Sequence, residues 1–169
     1  MSVATVRDGD GSHAAVLGAP LASPRPREAE AAVAGYCLLN DWSARAVQRQ
    51  VMAVGLGPSR GKDFATSLGP WIATPDDVGD LGAVELCARV NGEEWSRGTP
   101  RPMRWSWGER LAFAGDRVSF EPGDVFGSGT LGGGCGLELA KFLAPGDRVE
   151  LDGGALFGTL SGTIRQWEA

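Results

Sequence analysis

With 169 residues, 43% of them apolar, the chain can bury one ordinary core, which argues for a single domain. Its 26 glycines and 10 prolines exclude a helical bundle and suit short strands joined by tight turns. A net charge of −5 without a block of like charges leaves no basic stripe for nucleic acid, and no apolar run approaches the roughly 20 residues that span a bilayer.

Taken in chain order, residues 2–17 read as two short strand-like pieces around the turn Asp8-Gly9-Asp10-Gly11, followed by a Pro-rich loop over residues 20–26. Residues 27–34, rich in Ala and Glu, predict a short helix that leads into the apolar run 35–39. DWSARAVQRQ, residues 41–50, predicts a helix that stops before the glycines of GLGPSRGKD. On such a helix Asp41, Arg45 and Gln48 stand at i, i+4 and i+7 and share one face. VELCARV alternates as a strand does, Asn91-Gly92 is a hairpin signal, and DRVSF and DRVEL each follow a Gly-Asp turn. The region after Val84 therefore reads as β-hairpins.

Cys37, Cys87 and Cys135 are an odd set, far apart, and two lie in apolar runs where a thiol behaves as a small hydrophobe, so disulfides are not expected. The opening residues carry no apolar stretch of the signal-peptide kind, and the expectation is a soluble cytoplasmic protein. Two phosphate-loop lookalikes fail on context. Residues 127–132 match G-x-G-x-x-G, but the following GGCG does not start a helix able to hold a pyrophosphate. Gly61-Lys62-Asp63 lacks both the hydroxyl residue after Lys and the earlier glycine of a P-loop.

Three blocks carry the chemistry: NDWSAR (residues 40–45) followed by Gln48, LGPSRGKDFATSLGPW (56–71), and GSGTLGGGCGLEL (127–139). In order and spacing they resemble the signature blocks of the fumarylacetoacetate hydrolase family, and PGDRVEL with FGTLSGTI resembles its closing hairpin. The resemblance implies a mainly β (α+β) fold, a mixed β-roll or sandwich with a few short helices. It also implies a Mg2+ (or Ca2+/Mn2+) ion chelated by carboxylates, a small keto-acid substrate and a homodimer. The ion stabilises the enolate left when the C–C bond beside a dicarbonyl breaks.

Carried over residue by residue, Asp41 matches the aspartate metal ligand; read alone, it is an Asx turn or an N-cap. Arg45 and Gln48 match substrate-contacting positions, against the plainer reading of an exposed polar face. Lys62 and Thr66 match a loop near metal and substrate where Lys neutralises an oxyanion, against a solvated lysine. Thr130 matches a substrate-binding threonine. Glu138 matches a carboxylate that assists water activation or orients the catalytic histidine; flanked by Leu137 and Leu139 on an expected strand, it reads equally as a surface glutamate.

The pattern breaks at its amino-terminal side. The family's Glu-x-Glu pair falls on Asp10 and Ser12, or on Asp8 and Asp10 with a two-residue shift, which leaves Asp10 as the second candidate metal ligand. The family's catalytic histidine belongs to an earlier lid segment, and the sole histidine here, His13, reads as structural or exposed. The chain is thus expected to hold an incomplete part over 1–26 and the catalytic domain over 27–169. The resulting expectation is a metal-dependent hydrolase cleaving a C–C bond in a fumarylacetoacetate- or acylpyruvate-like acid. The alternatives are an oxaloacetate-type decarboxylase or tautomerase, and a catalytically impaired remnant or regulatory subunit.

Overall fold

A computed structural model describes residues 8–101 and 103–165, the first four of them as backbone only. The elements in order are β1 (Asp8–Leu17), β2 (Leu21–Ala22), α1 (Pro26–Ala31), β3 (Val33–Ser43), α2 (Arg45–Ala53), β4 (Thr66–Ala73), α3 (Pro75–Val78), β5 (Leu86–Val90), β6 (Glu93–Gly98), α4 (Trp107–Ala114), β7 (Ser119–Phe120), β8 (Val125–Gly127), β9 (Arg148–Asp152), α5 (Gly154–Phe157) and β10 (Thr159–Thr163). The fold is mainly β, as the glycine-rich turns and paired strands require.

Two four-stranded sheets, ordered β4-β3-β1-β8 and β10-β9-β5-β6, pair antiparallel throughout, and β2 with β7 forms a small third sheet. The main core lies between them. Ala15, Leu17, Tyr36 and Leu38 from the first sheet meet Leu86 and Leu151 from the second, with Trp107 and Leu111 of α4 and Phe157 of α5 closing the sides. Burial of such side chains contributes roughly 1.5–3 kcal/mol each. Because side chains alternate along a strand, the other face of β1 and β3 carries a separate cluster of Ala14, Cys37 and Leu39.

Several local expectations are overturned by pairing. Asp8-Gly9-Asp10-Gly11 is not a turn between two pieces: β1 runs unbroken through it, because those residues pair with Asn40 to Ser43 of β3. A backbone ladder supplied by a neighbouring strand outweighs local turn propensity. The helix starts at Arg45, not at Asp41, because Asp41 is held in the sheet between Asp10 of β1 and Thr66 of β4. Asp41 therefore does not share a helix face with Arg45 and Gln48. Glu138 lies in a run of turns rather than on a strand, in a segment whose glycines favour turns over a ladder.

The hairpins at Asn91-Gly92 and at β9–β10 form as expected. Asn91 and Gly92 both have positive φ, 53° and 83°, the backbone that a two-residue hairpin turn demands. DRVSF does not pair with its sequence neighbour; β7 pairs with β2 instead. Helix α4, absent from the sequence expectations, opens on a reciprocal cap in which Ser106 Oγ accepts from Glu109 N and Glu109 accepts from Ser106 N. No described helix is long and apolar enough to cross a membrane.

Candidate functional site

Asp41 sits one place before the last two residues of β3, flanked in register by Asp10 on one side and Thr66 on the other. The three positions form a line across the sheet. The side chain of Asp10 lies outside the described residues; its backbone register opposite Asp41 is what the structure gives. Directly opposed residues on antiparallel strands have Cβ atoms about 4.5–5.5 Å apart, so the register itself is of the kind a two-carboxylate site needs.

A cleft of about 320 Å³ opens on this face of the sheet, lined by Ser12, Leu39, Asp41, Thr66, Gly127, Gly129 and Thr130. All four strands of the sheet contribute to it. Ser12 comes from β1, Leu39 and Asp41 from β3, Thr66 from β4, and Gly127 ends β8 and leads into the glycine-rich loop that carries Thr130. Asp41, Thr66 and Thr130, more than 60 residues apart at the extremes, are thereby brought to one cavity.

Lys62 reaches the same carboxylate: its Nζ lies 2.7 Å from Asp41 Oδ2. The lysine follows a 3-10 turn over Ser59–Gly61 that packs directly on the first turn of α2. A Cβ on Gly61 would lie 2.9 Å from the Cα and the backbone nitrogen of Gln48, so only glycine permits this approach. The Ala44 amide donates to Gly61 O at 2.8 Å and locks the contact.

On α2, Arg45 Nη1 donates to Gln48 Oε1 at 2.9 Å, while Nη2 donates to Cys135 Sγ at 3.0 Å in the glycine-rich segment. Arg45 and Gln48 thus do share a helix face. Glu138 is exposed and is not among the residues lining the cleft; its Oε2 accepts from the Gly133 amide at 3.0 Å. Ser12 is buried and donates to Leu39 O at 3.4 Å.

His13 alternates away from Ser12 and points into the main core, edge-on to Trp107 with ring centroids 5.6 Å apart. Burial first, and the Arg110 charge second, hold its pKa down at about 4. It is a structural histidine on the opposite face of the sheet from the cleft.

The donors around the cleft are oxygens: the Asp41 carboxylate and the hydroxyls of Ser12, Thr66 and Thr130. That set suits a hard divalent cation rather than a thiophilic one. Among the described residues no three His, Cys, Asp or Glu side chains gather into a metal cluster.

The lining residues that sequence reasoning did not place are Leu39, Gly127 and Gly129, and Cys135 was taken only as a small hydrophobe or a family-block letter. Alternation along β3 could have found Leu39, two places before Asp41 on the same face. Nothing local signals Cys135, whose partner stands 90 residues away.

Residues 6–165 match the family described as fumarylacetoacetate (FAA) hydrolase C-terminal. The chain is 33% identical over 142 residues to the 2,4-didehydro-3-deoxy-L-rhamnonate hydrolase of Sphingomonas sp. (strain SKA58), covering 83% of this chain and 49% of that relative. Its fold is similar to that of the fumarylacetoacetate hydrolase from Exiguobacterium antarcticum, with a TM-score of 0.82, 28% identity, and coverage of 95% of this chain and 57% of that one. A fumarylpyruvate hydrolase from Pseudomonas aeruginosa, solved with Mn2+ and pyruvate, shares the fold at a TM-score of 0.81 and 23% identity, over 95% of this chain and 66% of that one. The chain spans about half the length of the curated relatives it matches.

Proposed function

Because the chain belongs to the fumarylacetoacetate hydrolase family, we propose that it is a divalent-metal-dependent hydrolase cleaving a C–C bond in a small 1,3-dicarbonyl or keto acid, of the fumarylacetoacetate or acylpyruvate kind. The observation that carries this reading is Asp41, set on a cleft of oxygen donors, opposite Asp10 in register and 2.7 Å from the Lys62 ammonium. The Mn2+ and pyruvate of the fumarylpyruvate hydrolase, which shares this fold, support the choice of a divalent cation and a keto acid.

Asp41 and Asp10 are the residues that would hold Mg2+, Ca2+ or Mn2+. When bound, such an ion supplies positive charge where an enolate develops. The chain's own groups do the rest. Lys62 adds a second positive charge beside Asp41, and Thr66 and Thr130 offer hydroxyls to the ligand from opposite sides of the cleft. Arg45 is the group assigned to the substrate carboxylate, with Gln48 steadying it. Glu138 holds the glycine-rich loop through the Gly133 amide, a tie that places it close to the loop of Thr130.

Calorimetric titration with Mg2+ or Mn2+ tests the reading: a saturable site is expected, and Asp41→Ala should abolish it. Lys62→Ala should lower acylpyruvate turnover by roughly 10²-fold, as removal of one electrostatic donor typically does. No saturable heat at millimolar metal would hand the lead to the impaired-remnant or regulatory-subunit reading.

One observation favours a second reading, decarboxylation of an oxaloacetate-like acid or keto–enol tautomerisation. The sole histidine of this sequence is buried on the far face of the sheet, and neither reaction requires a base to activate water. Faster turnover of oxaloacetate than of an acylpyruvate by the Mn2+-loaded protein would select it. A homodimer, on the strength of the family resemblance, and a cytoplasmic location complete the proposal.

A further inference from the structure

Among its contacts with described residues, Arg45 meets two different elements. Gln48, one turn along α2, accepts from Nη1 at 2.9 Å, and Cys135 accepts from Nη2 at 3.0 Å. The two partners differ in kind. Gln48 belongs to the same helix and moves with Arg45, whereas Cys135 belongs to the glycine-rich segment that also carries Thr130 and Glu138. The Cys135 sulfur is buried and its carbonyl accepts the Glu138 amide at 3.0 Å, so the sulfur is anchored to a turn rather than free to follow the arginine. A guanidinium is planar, and fixing one of its ends against a second element fixes the plane in which it can meet a carboxylate.

We propose that Cys135 is a positioning residue that orients the Arg45 guanidinium for recognition of the substrate carboxylate, coupling α2 to the glycine-rich segment. The inference rests on the assignment of Arg45 to that carboxylate in the function proposed above. Its consequence is quantitative. A rotamer-rich side chain already immobilised before binding spares the ligand the cost of ordering it, so loss of the sulfur should weaken ligand binding roughly three- to tenfold.

The experiment is a double-mutant cycle on the full chain, read by titration of pyruvate in saturating Mn2+. Cys135→Val should weaken pyruvate binding roughly three- to tenfold, leave Mn2+ affinity measured alone unchanged, and raise KM rather than lower kcat. Cys135→Ser, which retains an acceptor, should restore most of the affinity. In an Arg45→Met background Cys135→Val should have no further effect. In parallel, the side-chain 15N signals of Arg45 should show restricted rotation in the wild type and freer rotation in Cys135→Val. Thermal unfolding of each variant, with Cys135→Ala as a second substitution should Val not fold, separates loss of the contact from loss of the fold.

Unchanged Arg45 signals in Cys135→Val, or an equal loss of affinity with Met at position 45, would overturn the inference while leaving the function reading intact. Absence of pyruvate binding by the folded wild type, with Mn2+ bound, would sink that function reading and the recognition role with it. The nitrogen signals would then still show whether Cys135 locks Arg45.

Discussion

His13 occupies a strand position that faces the main core, and among the described residues neither of its ring nitrogens has a hydrogen-bond partner. A buried polar ring without partners is costly, and a charged one more so. Its folded pKa of about 4 lies below the ordinary histidine value of 6.5, so the unfolded chain takes up the proton first as pH falls. The contribution of neutral His13 is therefore fully present above about pH 6.5 and is lost on acidification towards pH 4, by about 3 kcal/mol at most. His13→Leu should flatten the fall of urea-unfolding stability between those pH values and leave stability at neutral pH equal or higher. An unchanged pH slope in that variant would show that other groups govern acid lability. The same residue illustrates why a lone histidine in a sequence is a poor guide to catalysis: its neighbour Ser12 lines the cleft, and one step along the strand reverses the face.

At the scale of elements, two close approaches hold the architecture. Helices α1 and α4 pack so closely that a Cβ on Gly108 would lie 2.3 Å from Pro26 O, a backbone atom that cannot step aside. Gly108→Ala should cost about 1–3 kcal/mol in denaturant unfolding, against the usual gain from replacing a helical glycine. Gly98→Ala in β6, where an added Cβ meets nothing within 4 Å, is the control and should be nearly neutral. Equal effects at the two positions would mean the α1–α4 contact is looser in solution. The S-x-x-E spacing of Ser106 to Glu109 was a readable start signal for α4, obscured by the Trp-, Arg- and Pro-rich residues before it. The start of α2 was not readable in that way. Asp41-Trp42-Ser43 has the composition of a helix entrance, and only pairing with β1 and β4 keeps it in the sheet.

For the molecule as a whole, a cleft to which every strand of one sheet contributes links ligand binding to global stability. A cation that binds the folded chain alone raises stability by RT ln(1 + [L]/Kd), about 2.7 kcal/mol at a hundredfold excess over Kd. Mn2+ should therefore raise the thermal midpoint of the wild type in a concentration-dependent way, and Asp41→Ala should remove that dependence while still folding. A rise of equal size in Asp41→Ala would place the cation elsewhere. Lys62→Met has the opposite sense: with the ammonium gone from Asp41, the cation should bind more tightly even as turnover falls.

By itself the sequence determined the β-rich class, the order of the three signature blocks, the hairpins at Asn91-Gly92 and β9–β10, and the residue types from which the site is built. Those features are local, set by turn chemistry, alternation and motif spacing within a few residues. Only the tertiary structure decided that Asp41 belongs to a strand, that Lys62 closes on it, that His13 faces the core, and that Cys135 touches Arg45. Each of these depends on which segment pairs with which, and on the face a side chain takes once the register is set. Register is a property of two strands at once, and no single stretch of chain encodes it.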